Sequence, residues 1–438
     1  MTVSTLAVVG IQWGDEGKGK IIDLLASQAD CVVRAQGGNN AGHTVVIGKE
    51  EYKLNLIPSG IFNPNTVCYI AAGTVIDPEV LWNEIEQLEK RGISLKGRLW
   101  LSPGAHLILP YHKQIDLLFE KKKGARAIGT TGRGIGPCYA DKANRIGIRI
   151  GEWIDHETFP RLLAETLPLK NDELVRLFGA PPIDYAELLR SSSALAQKIS
   201  PYVKHFEPEL HTAIERGDQI LFEGAQGALL DNTHGTYPFV TSSSTLAAGI
   251  CVGAGVGPSA IQHVLGVVKA YTTRVGHGPL PSELEEGEIF LDHQTAREFG
   301  TTTGRKRRVG WFDAVVARTG VRLNGAHSIA LTKLDILDSA EEIKICTGYA
   351  LDGKTVRFLP ATNGELQRVK PIYEKLPGWK CSTKEIQDPS DLPQEARGYL
   401  KRIEQLCGVP ISILSLGPAR ESTLILKPLF QNSERVWE

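Results

Sequence analysis

The sequence lacks the features by which secreted, membrane-bound and nucleic-acid-binding proteins are usually recognised. Its seven cysteines are odd in number and include no Cys-x-x-Cys pair, which argues against a disulfide framework and a structural zinc site. Its 49 basic and 50 acidic side chains leave a formal net charge of -1, which gives no global attraction to nucleic acid or to an anionic membrane. Residues 1–5 lack the basic side chains of a secretory signal. We expect a cytoplasmic protein that binds neither nucleic acid nor membranes.

One long stretch also lacks charge. No formally charged residue lies between Asp231 and Lys269, which is longer than the roughly 20 residues of a membrane-spanning helix. Four consecutive hydroxyl residues at 241–244, repeated glycines and Pro258 interrupt it, so a continuous apolar helix is not expected. We interpret the stretch as a buried, glycine-rich part of an active site.

Apolar runs that alternate with helical patterns predict an α/β fold with a mainly parallel central sheet flanked by helices. Several runs are apolar throughout, as in strands buried on both faces of a parallel sheet. The predicted strands are Leu6–Val9, Cys31–Val33, Val67–Ile70, Gln219–Phe222, Val264–Val268, Ser328–Leu331 and Ile411–Leu416. Helical patterns at 111–120 and 156–215 predict a helical insertion at about 111–215. We expect it to lie within a single large domain, 1–438, because no repeat or flexible linker divides the chain.

A phosphate-binding loop is expected directly after the first strand. Leu6–Val9 lead into Gly10 and a glycine-rich bend, after which apolar residues at 21, 22, 24 and 25 form one helix face. This order aims backbone N–H groups and a helix N-terminus at one point, as in P-loop NTPases. Six residues, instead of the four of the usual phosphate-loop pattern, separate Gly10 from Gly17-Lys18. Gly19 replaces the Ser or Thr that binds magnesium in that pattern. The alternative is an ordinary glycine-rich turn.

Two titratable residues lie in or near such turns. Asp15 is inside the phosphate loop, where a carboxylate beside a polyphosphate is expected to bind a metal or to accept a proton. His43 follows Gly42 in a second turn and, with Asp15, would supply an acid and a base on either side of a phosphoryl acceptor. The alternative for a single histidine is a hydrogen-bonded structural role.

A nucleobase site is expected at the ends of two later strands. The run Ile329–Leu331 ends in Thr332-Lys333-Leu334-Asp335, at the carboxyl end of a parallel strand, where open α/β sheets bind ligands. A carboxylate there can accept hydrogen bonds from guanine N1–H and its exocyclic amine, a donor pair that adenine lacks. A surface Lys-Asp pair is the alternative. The turn 224–227 also follows a strand and suits a nucleobase or a ribose.

Two further loops are rich in glycine and cationic or hydroxyl side chains. Residues 129–137 form a stretch with too much glycine for a simple connector, and its threonines, arginine and amides favour an ordered anion-binding loop. Residues 300–308 place three threonines and four cations together, which suits a small dianionic substrate through bidentate arginine pairing. A nucleic-acid patch is the alternative for the second loop, but it has no interleaved aromatic residue before Trp311.

Assembled, these motifs resemble the adenylosuccinate synthetase family. The motifs that carry the resemblance are 12–20, 134–139, 224–227, 301–308, 332–335 and 415–418, so it spans nearly the whole chain. The resemblance implies a ligase of purine nucleotide biosynthesis in two steps. Asp15 would accept the N1 proton of inosine monophosphate (IMP) while O6 attacks the γ-phosphate of GTP, and L-aspartate would then displace phosphate from C6. His43 would be the proton donor and Gln226 a third catalytic residue.

The same resemblance implies the ligand contacts, magnesium and a homodimer. GTP would be bound by Gly14, Asp15, Glu16, Gly17, Lys18, Gly19, Gly42, His43, Thr44, Arg307, Lys333, Leu334, Asp335, Ser415, Leu416 and Gly417. IMP would be bound by Asp15, Lys18, Asn40, Ala41, Gly42, His43, Thr131, Arg145, Gln226, Thr241 and Arg305. Aspartate would be bound by Thr301, Thr302, Thr303, Gly304, Arg305 and Arg307. One Mg²⁺ per subunit would be bound by Asp15 and Gly42, and Arg145 would reach IMP across the dimer interface.

The main alternative is a regulatory GTPase, which would also combine a phosphate loop with Thr-Lys-x-Asp. Such a switch needs no aspartate-binding loop and hydrolyses GTP without a second substrate. A nucleic-acid-binding module that uses 305–308 is a third reading, and it predicts binding that weakens steeply with salt.

Overall fold

The structure of the chain is a computed structural model that describes residues 3–47, 50–285, 288, 296, 298–299 and 304–430, apart from the side chain of residue 125. The predicted aspartate-binding residues Thr301, Thr302 and Thr303 lie outside the described residues.

The described residues form β-strands, nine of which make up one large, mainly parallel sheet. The strands are β1 (Thr5–Gly10), β2 (Cys31–Arg34), β3 (His43–Ile47), β4 (Glu50–Leu54), β5 (Val67–Ile70), β6 (Val75–Ile76), β7 (Leu99–Leu101), β8 (His106–Leu107), β9 (Ile220–Glu223), β10 (His263–Lys269), β11 (Thr272–Arg274), β12 (Arg308–Gly310), β13 (Phe312–Asp313), β14 (Ser328–Thr332), β15 (Glu342–Leu351), β16 (Lys354–Val356), β17 (Lys370–Pro377), β18 (Ile411–Ser415) and β19 (Thr423–Ile425). The large sheet has the order β19-β18-β14-β10-β1-β9-β2-β5-β7, and only β19 runs antiparallel to its neighbour. All seven predicted strands lie in this sheet, which confirms the predicted fold class.

Helices cover both faces of this sheet. They are α1 (Lys18–Ala26), α2 (Pro78–Lys90), α3 (Pro110–Lys123), α4 (Ile135–Asn144), α5 (Ile150–Ile154), α6 (Thr158–Asp172), α7 (Tyr185–Ile199), α8 (Glu207–Arg216), α9 (Ala247–Ala254), α10 (Ala314–Asn324), α11 (Asn363–Leu366) and α12 (Gln394–Cys407). Strand alternation divides the core, because Ala7 and Val9 pack into one hydrophobic cluster while Leu6 and Val8 pack into the other. Each face is therefore buried by its own set of helices.

The helices of region 111–215 pack beside the sheet. Trp153, Phe159 and Leu163 belong to the same buried cluster as Val32 of β2. The helical pattern predicted at 156–215 is interrupted by a π-helical turn at Glu173–Leu177 and by irregular segments, so it forms three separate α-helices, α6, α7 and α8.

The charge-free stretch forms α9 and β10 joined by turns. Among the described residues, no helix combines the length and the apolar character that crossing a membrane requires.

The parallel strands place their carboxyl ends at one edge of the sheet. β1 ends at Gly10, β9 at Glu223, β14 at Thr332 and β18 at Ser415, and these strands are close neighbours in the sheet order. Each of the predicted motifs at 12–20, 224–227, 332–335 and 415–418 follows one of these strands. The topology therefore brings together motifs that are up to 400 residues apart in the chain, where α/β sheets bind ligands.

Candidate active site

A cavity of about 760 Å³ opens at this edge of the sheet. Most of the described residues for which a site role was predicted line it. They are Gly14, Asp15, Gly17, Lys18, Gly19, Asn40, Ala41, Gly42, His43, Thr44, Thr131, Gln226, Thr241, Gly304, Arg305, Arg307, Lys333, Asp335, Ser415 and Gly417.

The phosphate loop has the backbone geometry that its glycines predict. Gly14 has a φ of 83° and Gly17 a φ of 93°, which are values that residues with a Cβ rarely adopt. Gly17 is the N-cap of α1 and provides no side-chain cap, so the first N–H groups of the helix are open to a ligand at the cavity. A Cβ at Gly19 would lie 2.9 Å from the Cβ of His43. Close packing against His43 thus explains why position 19 holds glycine instead of Ser or Thr.

Glu16 stabilises this loop from its buried side. Its carboxylate accepts hydrogen bonds from the backbone N–H of Gln12 at 3.1 Å and of Gly14 at 2.9 Å, and it lies 2.6 Å from Lys18 Nζ. The side chain of Glu16 is fully buried and does not line the cavity. It therefore orients the loop and the ammonium of Lys18 instead of facing a ligand.

Asp15 lies at the centre of the site in a conformation that is unusual for a residue with a side chain. Its φ of 57° is in the left-handed region, and its carboxylate accepts a hydrogen bond from Arg307 Nε at 2.8 Å. Burial lowers the pKa of Arg307, but Asp15 and Glu298 outweigh it and raise that pKa. Arg307 therefore stays charged beside Asp15.

Glu298 joins Arg307 to the base-binding region. This buried carboxylate lies 2.7 Å from Arg307 Nη1, 2.7 Å from Lys333 Nζ and 2.9 Å from Lys269 Nζ, and it accepts a hydrogen bond from Tyr271. Burial alone would raise the pKa of Glu298, but the three cations hold it well below its usual value. One carboxylate therefore fixes two predicted GTP-binding residues, Lys333 and Arg307, of which Arg307 is also predicted to bind aspartate.

The predicted guanine site is connected to the phosphate loop. Thr332 Oγ1 donates a hydrogen bond to the carbonyl of Glu16 at 2.6 Å, which ties the end of β14 to the loop. Asp335 lies two residues beyond Lys333 in a short 3₁₀ turn and lines the cavity. Burial raises the pKa of Asp335 to about 6. A donor pair from a base would compensate a carboxylate that is partly desolvated in this way.

His43 is oriented by a buried carboxylate. Its Nδ1 lies 2.7 Å from Glu223 Oε1 and 3.2 Å from Ser59 Oγ. Burial raises the pKa of Glu223, but the charges of His43 and Arg34 outweigh it and lower that pKa. With Nδ1 engaged in this way, the remaining nitrogen of His43, Nε2, is available for chemistry.

A chain of amide and hydroxyl groups connects three residues that are predicted to contact IMP. Gln226 Nε2 donates to Asn40 Oδ1 at 3.0 Å, and Asn40 Nδ2 donates to Thr241 Oγ1 at 3.2 Å. The buried Oε1 of Gln226 has no hydrogen-bond partner among the described residues. Such an unpaired acceptor is costly unless a ligand supplies a donor.

Two carboxylates of α3 hold the glycine-rich loop at 128–134. Glu120 accepts hydrogen bonds from the backbone N–H of Ile128, Gly129 and Thr130, and the closest, from Gly129, is 2.7 Å. Asp116 accepts from Gly134 N at 2.9 Å and from Thr130 Oγ1 at 3.0 Å. Protein carboxylates therefore occupy several amides of this loop, and its binding of an anion stays a prediction. Arg305 Nη2 donates to the carbonyl of Gly129 at 2.9 Å and joins this loop to the next.

Backbone strain also marks the predicted site. Among the described residues, six non-glycine residues have φ values in the left-handed region, and four of them are Asp15, Arg145, Gln226 and Lys333. Residues in such conformations cost free energy and concentrate at functional sites. All four are among the residues for which the family resemblance implies a ligand contact.

Some predicted residues lie elsewhere. The side chains of Glu16, Leu334 and Leu416 are buried and do not line the cavity, and Arg145 is exposed at the C-terminal end of α4, outside it. Sequence reasoning missed Glu298, Lys269, Glu223, Asp116, Glu120 and the cavity-lining Arg274. A usable signal existed for two of them, because Glu223 and Lys269 are the charged residues that end the apolar runs of β9 and β10.

The donor atoms at Asp15 and Gly42 suit a hard cation. A carboxylate and a backbone carbonyl line the same cavity, and Mg²⁺ favours oxygen ligands with most positions left to phosphate and water. Among the described residues, no group of three or more His, Cys, Asp or Glu side chains is arranged to bind a metal. The residues present therefore fit a magnesium ion that is bound mainly by its nucleotide.

The chain is similar to known proteins over nearly its whole length. A family model described as adenylosuccinate synthetase matches residues 7–424. The adenylosuccinate synthetase of Carboxydothermus hydrogenoformans is 52% identical over 430 residues, which cover 98% of this chain and 100% of the relative. That of a Synechococcus species is 51% identical over 433 residues, which cover 99% and 96%. The structure of a fully ligated adenylosuccinate synthetase from Plasmodium falciparum superposes with a TM-score of 0.91 at 36% identity and covers 97% of this chain and 100% of that chain.

Proposed function

The chain belongs to the adenylosuccinate synthetase family, and we propose from this membership and from the site that it joins L-aspartate to IMP in a reaction driven by GTP. The products are adenylosuccinate, GDP and phosphate. Members of this family are ligases that form a C–N bond, and this chain is such a ligase. The observation that carries the assignment to these residues is the single cavity lined by Asp15, His43, Gln226 and Asp335 together.

The first step is phosphoryl transfer to O6 of IMP. The Asp15 carboxylate accepts the proton from N1, which makes O6 nucleophilic, and O6 attacks the γ-phosphorus of GTP as the bond to GDP breaks. His43, held at Nδ1 by Glu223 and Ser59, presents Nε2 to the charge that develops on the phosphates. Lys18 and the N–H groups at the start of α1 bind the transferred and departing phosphates.

The second step is displacement of this phosphate by aspartate. The neutral amine nitrogen of aspartate attacks C6, the C6–O6 bond breaks, phosphate leaves with both electrons of that bond, and the amine gives up one proton to the departing phosphate. Arg305 and Arg307 are suited to pair with the two carboxylates of aspartate, together with the threonines at 301–303. The Asp15–Arg307 hydrogen bond occupies Nε of Arg307, and proton uptake by Asp15 in the first step would weaken this bond and so favour transfer of Arg307 to the substrate.

The purine of IMP is assigned to the Gln226 end of the cavity. The unpaired Oε1 of Gln226 can accept a hydrogen bond from the bound nucleotide, and Asn40 and Thr241 continue the same polar wall. The guanine of GTP is assigned to Asp335, Lys333 and the turn Ser415–Gly417. Hypoxanthine lacks the exocyclic amine that Asp335 would recognise, so the two purines are kept in separate subsites.

Asp15 and the Gly42 carbonyl are the residues we assign to Mg²⁺. When bound, the ion would withdraw charge from the phosphate oxygens and so ease attack on phosphorus.

We also propose a homodimer in which Arg145 of one subunit reaches the IMP phosphate of the other. Two observations support this: Arg145 is exposed outside the cavity of its own chain, and its backbone is held in the left-handed region at φ 62°. The cytoplasmic location and the single-domain organisation stay predictions from the sequence.

Omission of single substrates tests the proposed function. Phosphate release should require GTP, IMP, aspartate and magnesium together, and adenylosuccinate should form in equal amount. GTP hydrolysis at a comparable rate without IMP and aspartate would instead indicate a regulatory GTPase.

A further inference from the structure

Lys20 is a cavity residue to which the reaction described above gives no role. It lies in the first turn of α1, two residues after the phosphate-binding Lys18, and its ammonium donates three hydrogen bonds. The acceptors are Ser415 Oγ at 2.7 Å, the carbonyl of Gly417 at 2.7 Å and the carbonyl of Ser422 at 3.3 Å. Lys20 therefore connects the phosphate helix to the turn after β18, more than 390 residues later in the chain.

The position of Lys20 in the cavity separates it from a purely structural tie. Lys20, Asp335, Ser415 and Gly417 all line the cavity. The Asp335 carboxylate is close enough to favour the charged form of Lys20. Two of the three hydrogen bonds thus fix residues of the turn that line the cavity together with Asp335.

A second tie between the same two elements offers an internal control. One turn further along α1, Asp23 pairs with Arg420 through two hydrogen bonds of 2.9 Å and 2.6 Å. Neither Asp23 nor Arg420 lines the cavity. The turn is therefore attached to α1 twice, once at the cavity wall and once behind it.

We propose that Lys20 is a positioning residue for nucleotide selection: it sets the spacing between the phosphate-binding start of α1 and the turn Ser415–Gly417, so that the base of a bound nucleotide lies where Asp335 can accept from both donors of guanine, N1–H and the exocyclic amine. The inference rests on the proposed function, because it uses the assignment of guanine to Asp335. In this arrangement the free energy of base recognition depends on a spacing that Lys20 maintains.

The charge of Lys20 gives the proposal a signature in pH. Burial lowers the pKa of Lys20 to about 8, although the facing carboxylates of Asp335 and Glu421 oppose this. Arg420 and Asp23, on the adjoining face, are already paired with each other. Because the neutral amine has one donor fewer, the turn is held by all three hydrogen bonds only below about pH 8.

The test is direct binding of GDP and of inosine diphosphate to the full-length protein by calorimetry, without IMP or aspartate. Lys20→Met should weaken GDP about tenfold or more and inosine diphosphate much less, so that the preference for guanine falls. Lys20→Arg, which keeps the charge, should recover most of that preference. The wild-type affinity for GDP should decline above pH 8, whereas that of Lys20→Arg should stay level.

The control variant is Asp23→Asn, which loosens the tie behind the wall and should leave the guanine preference within about twofold of wild type. An equal loss of preference in Asp23→Asn, an unchanged preference in Lys20→Met, or an equal weakening of both nucleotides would each overturn the proposal. Failure of the ligase assay described above would not affect this readout, because nucleotide binding is measured by itself.

Discussion

The phosphate loop and the loop at 128–134 line the same cavity and are both rich in glycine, but they are anchored by different means. The phosphate loop continues directly from β1, the central strand of the large sheet, and ends in α1. The loop at 128–134 is joined to no strand of that sheet and is held by the carboxylates of Asp116 and Glu120. The first loop is therefore positioned by the strand and helix on either side of it and by its own residue Glu16, whereas the second is positioned by carboxylates of a separate element, α3.

The two regions are therefore expected to respond differently when ligands bind. The N–H groups at the start of α1 have no side-chain cap and can bind a ligand without rearrangement, which suits the part of the site where charge develops. The loop at 128–134 and the loop at 304–308, which Arg305 joins to it, form a side-chain-held region in which Glu120 occupies backbone amides and Asp15 and Glu298 occupy Arg307. Ligands there must exchange partners with protein carboxylates, so binding in this region is coupled to local rearrangement.

The largest change in kcat is expected for a substitution in the phosphate loop. Asp15→Asn removes the proposed proton acceptor while it keeps the shape of the side chain, so kcat should fall by about 10²- to 10⁴-fold. GTP affinity should remain measurable because Lys18 and the loop amides are unchanged. The measurement is steady-state kinetics together with nucleotide binding. Asp155→Asn, at an exposed helix end, is the matched control, and near-normal turnover in Asp15→Asn would place the base elsewhere.

The second substitution is in the side-chain-held region, at Glu298, which contacts three cations. Glu298→Gln leaves Lys269, Lys333 and Arg307 around a neutral group, and uncompensated buried charge of this kind destabilises a protein by about 3–5 kcal/mol. We expect a lower urea midpoint and a raised KM for aspartate. Glu342→Gln breaks an exposed pair with Lys375, for which about 0–1 kcal/mol is expected. If both variants unfold at the same midpoint as wild type, Glu298 does not hold this region together.

The same contrast explains what the sequence predicted well. Strand positions, the phosphate loop and the Thr332–Asp335 motif were predictable because each is local: an apolar run followed by glycine or polar residues at fixed spacing. Parallel strands then bring their ends to one edge, so local predictions assemble into a site without knowledge of distant contacts.

The part that could not be predicted consists of non-local polar contacts. Nothing near Glu298 in the sequence indicates that Lys269 and Lys333 would surround it, and nothing near Lys20 indicates Ser415 as its partner. The side chain of Glu16 turns into the protein, a non-local arrangement that its place in the loop motif did not indicate, and its contact with GTP through the backbone N–H stays a prediction. The roles of Thr301, Thr302 and Thr303 stay predictions from the family resemblance.

A smaller effect, on nucleotide affinity, is expected at the predicted guanine site, which is connected to the phosphate loop. Asp335→Asn should weaken GTP by roughly ten- to a hundredfold, the equivalent of about 1–3 kcal/mol for a lost buried hydrogen-bond partner. It should also favour xanthosine triphosphate, because the amide offers one donor and one acceptor. Since burial raises the pKa of Asp335 to about 6, and guanine requires the carboxylate, wild-type affinity for GTP should fall as the pH drops through 6. An unchanged base preference in the variant would refute the guanine contact.

The smallest change in KM is expected at Glu120, whose carboxylate either supports the loop at 128–134 or competes with the ligand of that loop. Burial raises the pKa of Glu120, but N–H donors from Gly129, Thr130 and Ile128 outweigh burial and lower that pKa. The Glu120 carboxylate therefore stabilises the folded protein fully above about pH 4.3, and this stabilisation is lost as the pH falls through the lowered pKa of Glu120. If Glu120 supports the loop, Glu120→Gln should raise the KM for IMP about three- to tenfold and speed tryptic cleavage after Arg126. Glu165→Gln, at an exposed pair with Arg161, should change neither. A lower KM for IMP in Glu120→Gln would mean instead that the carboxylate occupies amides which the substrate phosphate needs, and the two regions would then differ in occupancy as well as in anchoring.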